Sequence, residues 1–143
     1  MHNVKVIISI VLLIAAAGIF YWVYGIDRVP EAAQRGQVET SERDRAIDCA
    51  RRVIEVSRKG SVSEFLKLCL NPKDESIREF YDFLKTSSVM PDQVLDVGRR
   101  KNDPEKLSVY FDGGSGVQIQ IVVAPDDTGE LRFWGAYQIN RSR

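Results

Sequence analysis

The chain has 143 residues with 20 basic and 20 acidic side chains, so its formal net charge is zero, and nothing in that balance argues for nucleic acid or a strongly anionic surface as partner. Its single histidine, His2, sits in the short head, which excludes histidine catalysis or histidine metal binding by the domain that follows. The two cysteines, Cys49 and Cys69, cannot complete a usual zinc site without carboxylates.

After the head, Met1–Lys5, comes Val6–Ile26, VIISIVLLIAAAGIFYWVYGI, with no charge and Ser9 as its most polar member. About 21 residues rising about 1.5 Å each cover about 30 Å, the thickness of a hydrocarbon core. The run therefore reads as a transmembrane anchor. A cleaved signal peptide is the rival reading. Lys5 would supply its charged region, Val6–Ile14 its apolar region, and Ala15-Ala16-Ala17 before Gly18 its cleavage site. Against cleavage, the apolar run continues through Ile19, Phe20, Trp22 and Val23, and Tyr21, Trp22 and Tyr24 suit an aromatic belt at the bilayer boundary. Lys5 on one side nearly balances Arg28 and Arg35 on the other. The short head favours a single-pass cell-membrane protein with its C-terminal domain extracytoplasmic.

Residues 27–40, DRVPEAAQRGQVET, are polar and non-periodic, with Pro30 and Gly36, and read as a linker. A domain is expected over 41–143. Ser41-Glu42-Arg43-Asp44 resembles a capping box and opens the first helix, whose apolar face takes Ala46, Ile47, Ala50, Val53, Ile54 and Ser57. Arg51-Arg52 admits an anionic-lipid contact or a solvated face, and the second is the ordinary reading. Gly60 closes the helix. Ser61-Val62-Ser63-Glu64 caps a second helix carrying Phe65, Leu66, Leu68, Cys69 and Leu70, which Asn71-Pro72 ends. The third helix runs from about Asp74 to Lys85, with Ile77, Phe80, Tyr81 and Leu84 on one stripe.

From Gln93 the period changes to two. Strands are expected over Gln93–Lys101, Lys106–Asp112, Val117–Ala124 and Glu130–Asn140, antiparallel because the turns between them are short. Strict alternation turns Leu107, Val109, Phe111, Val117, Ile119, Ile121, Val123, Leu131, Phe133, Tyr137 and Ile139 inward. It puts Tyr110, Val122, Trp134 and Ala136 on the opposite face. Those four form the candidate interface, set against packing under Met90 or the C-terminal tail, or simple cross-strand stiffening. The fold class is α+β: a transmembrane helix, then three helices packed on a curved four-stranded antiparallel sheet, a cystatin-like arrangement.

Catalytic chemistry is thin. Asp112-Gly113-Gly114-Ser115-Gly116 invites a phosphate-loop reading, but strands flank it and no lysine follows, so a hairpin tip is expected. Asp96 with Tyr137 is the one acid–hydroxyl pair with catalytic potential. Asp126-Asp127 falls far short of a calcium loop. No catalytic, cofactor or metal residue is assigned. Cys49 and Cys69 lie at comparable distances from the Gly60-Ser61 turn, and two states stand open for them: a disulfide in an oxidising compartment or buried thiols in a reducing one.

The run ARRVIEVSRKGSVSEFLKLCLNP resembles the opening of nuclear transport factor 2-like cone domains, in which a first helix, a Gly-containing break and a short helix ending in Leu-x-x-Pro follow one another. The end, GELRFWGAYQI, resembles their last strand. The likeness spans roughly Arg43–Ile139 and implies a cone whose short early strand is absent or sits near Leu70. It implies a membrane-anchored, non-catalytic interaction or scaffold domain, such as occurs in cell-envelope assemblies, partnered by a second copy or another envelope protein. The runner-up is a module holding a small apolar ligand in the cone. An isomerase- or cyclase-like enzyme is third, because such enzymes use Asp, His or Tyr within the cone.

Overall fold

The computed structural model describes residues 35, 36 and 38–140. The head, the anchor expected at Val6–Ile26 and most of the segment read as linker lie outside the described residues. Among the described residues no helix is long and apolar enough to cross a membrane.

Helix α1, Thr40–Lys59, buries Ala46, Ala50, Val53, Ile54 and Ser57 on one face, as helical periodicity requires. Its start differs from expectation. The N-cap is Glu39, no side chain caps it, and Ser41 lies inside the first turn. Ser57 is fully buried because its hydroxyl donates back to the Ile54 carbonyl at 2.7 Å. Gly60 ends the helix in an extended conformation, its N–H reaching the Val56 carbonyl.

Helix α2, Val62–Leu66, has the capping box the sequence predicts: the Glu64 N–H donates to Ser61 Oγ and the Ser61 N–H to Glu64 Oε2, both at 3.2 Å. It stops well short of Asn71-Pro72. The chain beyond it leaves helical geometry to pair with the last strand: the Phe133 N–H donates to the Leu68 carbonyl at 2.8 Å and the Leu70 N–H to the Phe133 carbonyl at 2.9 Å. Cys69 faces Phe133 in this isolated parallel bridge. Helix α3, Ser76–Thr86, buries Ile77, Tyr81 and Leu84. Arg58 of α1 donates to the carbonyls of Ser87 and Val89, and Arg51 to that of Pro91, stitching α1 to the segment after α3.

Among the described residues the sheet holds four long antiparallel strands and a two-residue one. In order they are β1 (Arg35–Gly36), β2 (Val94–Arg100), β3 (Asp103–Asp112), β4 (Val117–Pro125) and β5 (Leu131–Asn140). β1 comes from the stretch read as linker. It pairs Arg35 with Arg100 and Gly36 with Arg99, a contact too short to leave any alternation in the sequence. β3 begins earlier than expected, at Asp103, because the turn closes on Lys101 and Asn102.

One irregularity changes which side chains face the helices. Val123 pairs with Phe133, but Val122 pairs with Gly135, so Trp134 is an extra residue in β5. Such a bulge inverts the alternation beyond it. Ala136 therefore joins the core at 4% exposure, and Tyr137 turns out to 36% exposure, the reverse of strict alternation. A second irregularity lies between Val94 and Asp96, beside the exposed Leu95.

The three helices cover one sheet face, and the layer between is apolar. Phe65, Phe111, Phe133, Ile54, Leu84 and Ile121 are each fully buried. The Phe65 ring lies 5.3 Å from both Tyr81 and Phe133, and Tyr81 Oη donates to the Gly60 carbonyl at 3.2 Å. The buried tyrosine hydroxyl is thus satisfied without water.

Candidate functional site

Polar side chains gather at several places away from the core. The first is a row across the other sheet face. Cross-strand register sets Asp96 opposite Tyr110, Tyr110 opposite Gln120, and Gln120 opposite Tyr137. Asp96 and Tyr137 hence share a row but stand three strand spacings apart, about 14 Å at the usual separation. The acid–hydroxyl pair considered from sequence does not meet. Asp96 Oδ1 accepts the Val97 N–H at 2.8 Å, while Tyr137 packs against Phe80 and Trp134, with centroids at 5.8 and 6.3 Å. Within the row, Gln120 Nε2 donates to Ser108 Oγ at 2.9 Å and to Tyr110 Oη at 3.4 Å.

The four residues read as an interface separate in the structure. Tyr110 and Val122 keep the expected face but are 2% and 1% exposed. Ala136 belongs to the core, for the reason given by the bulge. Trp134 alone is half-buried rather than fully buried. Lys106 Nζ stands 3.9 Å above its ring and also pairs with Asp103 at 2.6 Å.

Both cysteines are free. Cys49 Sγ donates to the Leu131 carbonyl at 3.4 Å, and Cys69 Sγ to the Phe65 carbonyl at 3.3 Å, so the thiols serve different acceptors. Burial pushes the Cys49 thiol from 9.0 up to about 11 against the pull of Arg132 and Arg52, with Glu130 adding to the rise. Burial pushes Cys69 up to about 12. The thiolate is therefore scarce at neutral pH, and neither group is an activated nucleophile. Because the folded chain holds these protons more tightly than the unfolded chain, their contribution to stability is complete below about pH 9 and lost as pH rises toward 11–12. Urea unfolding of the domain should show a falling midpoint across that alkaline window, with a smaller fall in a Cys49→Ala, Cys69→Ala variant. Equal slopes in the two proteins would reject the assignment.

The Gly-rich tip is a hairpin turn. Gly114, Ser115 and Gly116 have φ of 77°, 52° and 76°, and the Gly113 N–H donates to the Val117 carbonyl at 2.9 Å. Strand β4 follows it, so no helix N-terminus faces the loop. The Asp126 carboxylate is consumed by its own turn. Oδ1 accepts from the Thr128 N–H and hydroxyl and the Glu130 N–H, and Oδ2 accepts from Arg132 Nε at 3.0 Å. The Thr128 hydroxyl and the Arg132 guanidinium hold Asp126 well below the usual carboxylate range. Among the described residues no group of three His, Cys, Asp or Glu side chains is placed to hold a metal ion.

The second polar gathering is a cleft of about 410 Å³ between α1 and the start of β5. Arg45, Asp48, Cys49 and Arg52 form one wall, at spacings that share a helix face. Lys67 and Leu68, from the chain after α2, and Glu130, Leu131 and Arg132 form the other. A second hollow, about 340 Å³, adjoins it by sharing Arg45 and Leu131, and is lined further by Glu42, Arg99 and Pro104. No protein-family model, curated protein or solved structure matches this chain. The site is therefore read from its own chemistry.

Sequence reasoning missed this cleft. The Arg45, Asp48 and Arg52 spacing on α1 was a visible signal for one wall. The other wall comes from residues 15 to 87 positions away in the chain, and the Cys69–Phe133 bridge, with the Arg132 bond to the Lys67 carbonyl, carries Lys67 beside Arg132.

Proposed function

We propose that this chain is a single-pass membrane protein, anchored by Val6–Ile26, whose α+β domain is a non-catalytic interaction module of a cell-envelope assembly. The packed helix-to-sheet layer carries the reading. The space that a cone-bound ligand or a reacting substrate needs is taken by Phe65, Phe111, Phe133 and Ile121, each fully buried. The ionisable groups of that layer do not supply a general acid or base either: Tyr81 bonds to a main-chain carbonyl and Cys69 is held protonated. Kinship with nuclear transport factor 2-like cones is part of the same proposal. It rests on the two quoted sequence stretches, and the helices-on-antiparallel-sheet architecture is compatible with it. Trp134, half-buried and of a residue type common at interface hot spots, is the contact site on the sheet side.

The test uses the full chain in native membranes, with a benzophenone side chain in place of Trp134. Carbonate washing should leave the uncleaved chain in the membrane pellet, and irradiation should give one discrete adduct. A soluble species beginning at Gly18 would remove the anchor from the proposal. A small molecule co-purifying with the folded domain, with no adduct at position 134, would favour the ligand-binding alternative.

A further inference from the structure

The cleft between α1 and β5 has more positive charge than its own acids neutralise. Arg132 is fully committed. Its Nε donates to Asp126, its Nη2 to Glu130, each at 3.0 Å, and its Nη1 to the Lys67 carbonyl at 3.0 Å. Arg99, in the adjoining hollow, is committed to Glu42 and to the Pro104 carbonyl. Arg45 uses one nitrogen, donating Nη2 to the Gly129 carbonyl at 2.9 Å, which fixes the guanidinium and leaves its other donors open. The side chains of Arg52 and Lys67 are exposed and have no hydrogen bond or ion pair among the described residues. Among the described residues the one acid of the cleft outside the Arg132 cluster is Asp48. Arg45, Arg52 and Lys67 thus surround a floor of Cys49, Leu68 and Leu131 with unspent positive charge. The Cys49 thiol, at that floor, already senses Arg132 and Arg52 as positive neighbours.

We propose that this cleft docks an acidic peptide segment of a partner protein. The inference rests on the interaction-module reading and names the partner's chemistry. Arg45 and Arg52 lie seven residues apart on α1, about 10.5 Å along its axis. A fitting segment presents two carboxylates about 10 Å apart to those guanidinium groups, with an apolar side chain between them for the Leu68–Leu131 floor. Arg45 supplies planar, oriented donors, and Lys67 supplies a mobile point charge from the opposite wall. An anionic bilayer is the less suitable occupant. The basic groups flank a recess, whereas a flat headgroup surface is met by projecting side chains, and Arg51, beside Arg52, is tied to Pro91. The zero net charge of the chain makes the attraction local to the cleft.

The test uses the full chain in detergent micelles and a fluorescein-labelled peptide of glutamates around a central leucine, followed by fluorescence polarisation. Binding should weaken by about tenfold or more in an R52E K67E variant, and also as salt rises from about 50 to about 500 mM. Both positions are exposed, so circular dichroism should show that variant folded. A peptide with glutamine for glutamate should not bind. Equal binding of both peptides, or equal affinity in the two proteins, overturns the proposal. So does an R52E K67E variant that loses binding of soluble short-chain phosphatidylserine while keeping its peptide affinity, since the cations then serve a membrane. If the peptide fails while the Trp134 adduct persists, this inference falls and the interaction-module reading stands.

Discussion

Ala136→Lys should unfold the domain, while Tyr137→Lys should leave it folded. Ala136 is 4% exposed and pairs with the fully buried Ile121 on the face that meets the helices. A lysine there places an unpaired ammonium among apolar side chains, at a cost of about 4 kcal/mol or more, a large share of the 5–15 kcal/mol that holds a domain together. Tyr137 is 36% exposed, and its replacement forfeits ring contacts with Phe80 and Trp134 worth about 1 kcal/mol each. Strict alternation from Phe133 demands the opposite ranking, because it counts Tyr137 inward and Ala136 outward. Urea denaturation followed by circular dichroism decides between them. A greater loss for Tyr137→Lys would mean that β5 runs without the bulge at Trp134.

Phe133→Ala should destabilise the domain by about 3–5 kcal/mol, the range for removing a buried phenylalanine and leaving its cavity. The ring is fully buried, and it lies 5.3 Å from Phe65 and 5.9 Å from Phe80, joining β5 to both shorter helices. Its main chain also carries the bridge to Leu68 and Leu70, which the substitution leaves intact. The loss should therefore appear as a lower denaturation midpoint with an unchanged slope, the mark of lost packing in a domain that still unfolds as one unit. A loss below about 1 kcal/mol would show that the three-ring contact is not the joint between helices and sheet.

Ala136, Tyr137 and Phe133 mark the boundary between what the chain announces and what it conceals. Period and punctuation suffice for the architecture. The α1 stripe from Ala46 to Ser57, the Ser61–Glu64 capping box, the α3 stripe and the four alternating strands with Gly-rich or Pro-containing turns are local signals, each set by neighbours within a few residues. Composition likewise determined that no histidine serves the domain.

Tertiary contacts decided the rest. The main chain of Leu68 to Leu70 gives up helix because Phe133, more than sixty residues away, offers hydrogen bonds that α2 itself cannot. The extra residue at Trp134 leaves only Gly135 as its trace in FWGAY, and pairing with Val122 and Val123 is what shows where the register slips. From that slip follow the inward turn of Ala136 and the outward turn of Tyr137, while the strand order separates Asp96 from Tyr137 across one row. Periodicity reports the environment of a single segment averaged along its length. Register, bulges and the meeting of Arg45, Arg52 and Lys67 around one cleft depend on how segments far apart in sequence dock, and no window along the chain contains both partners.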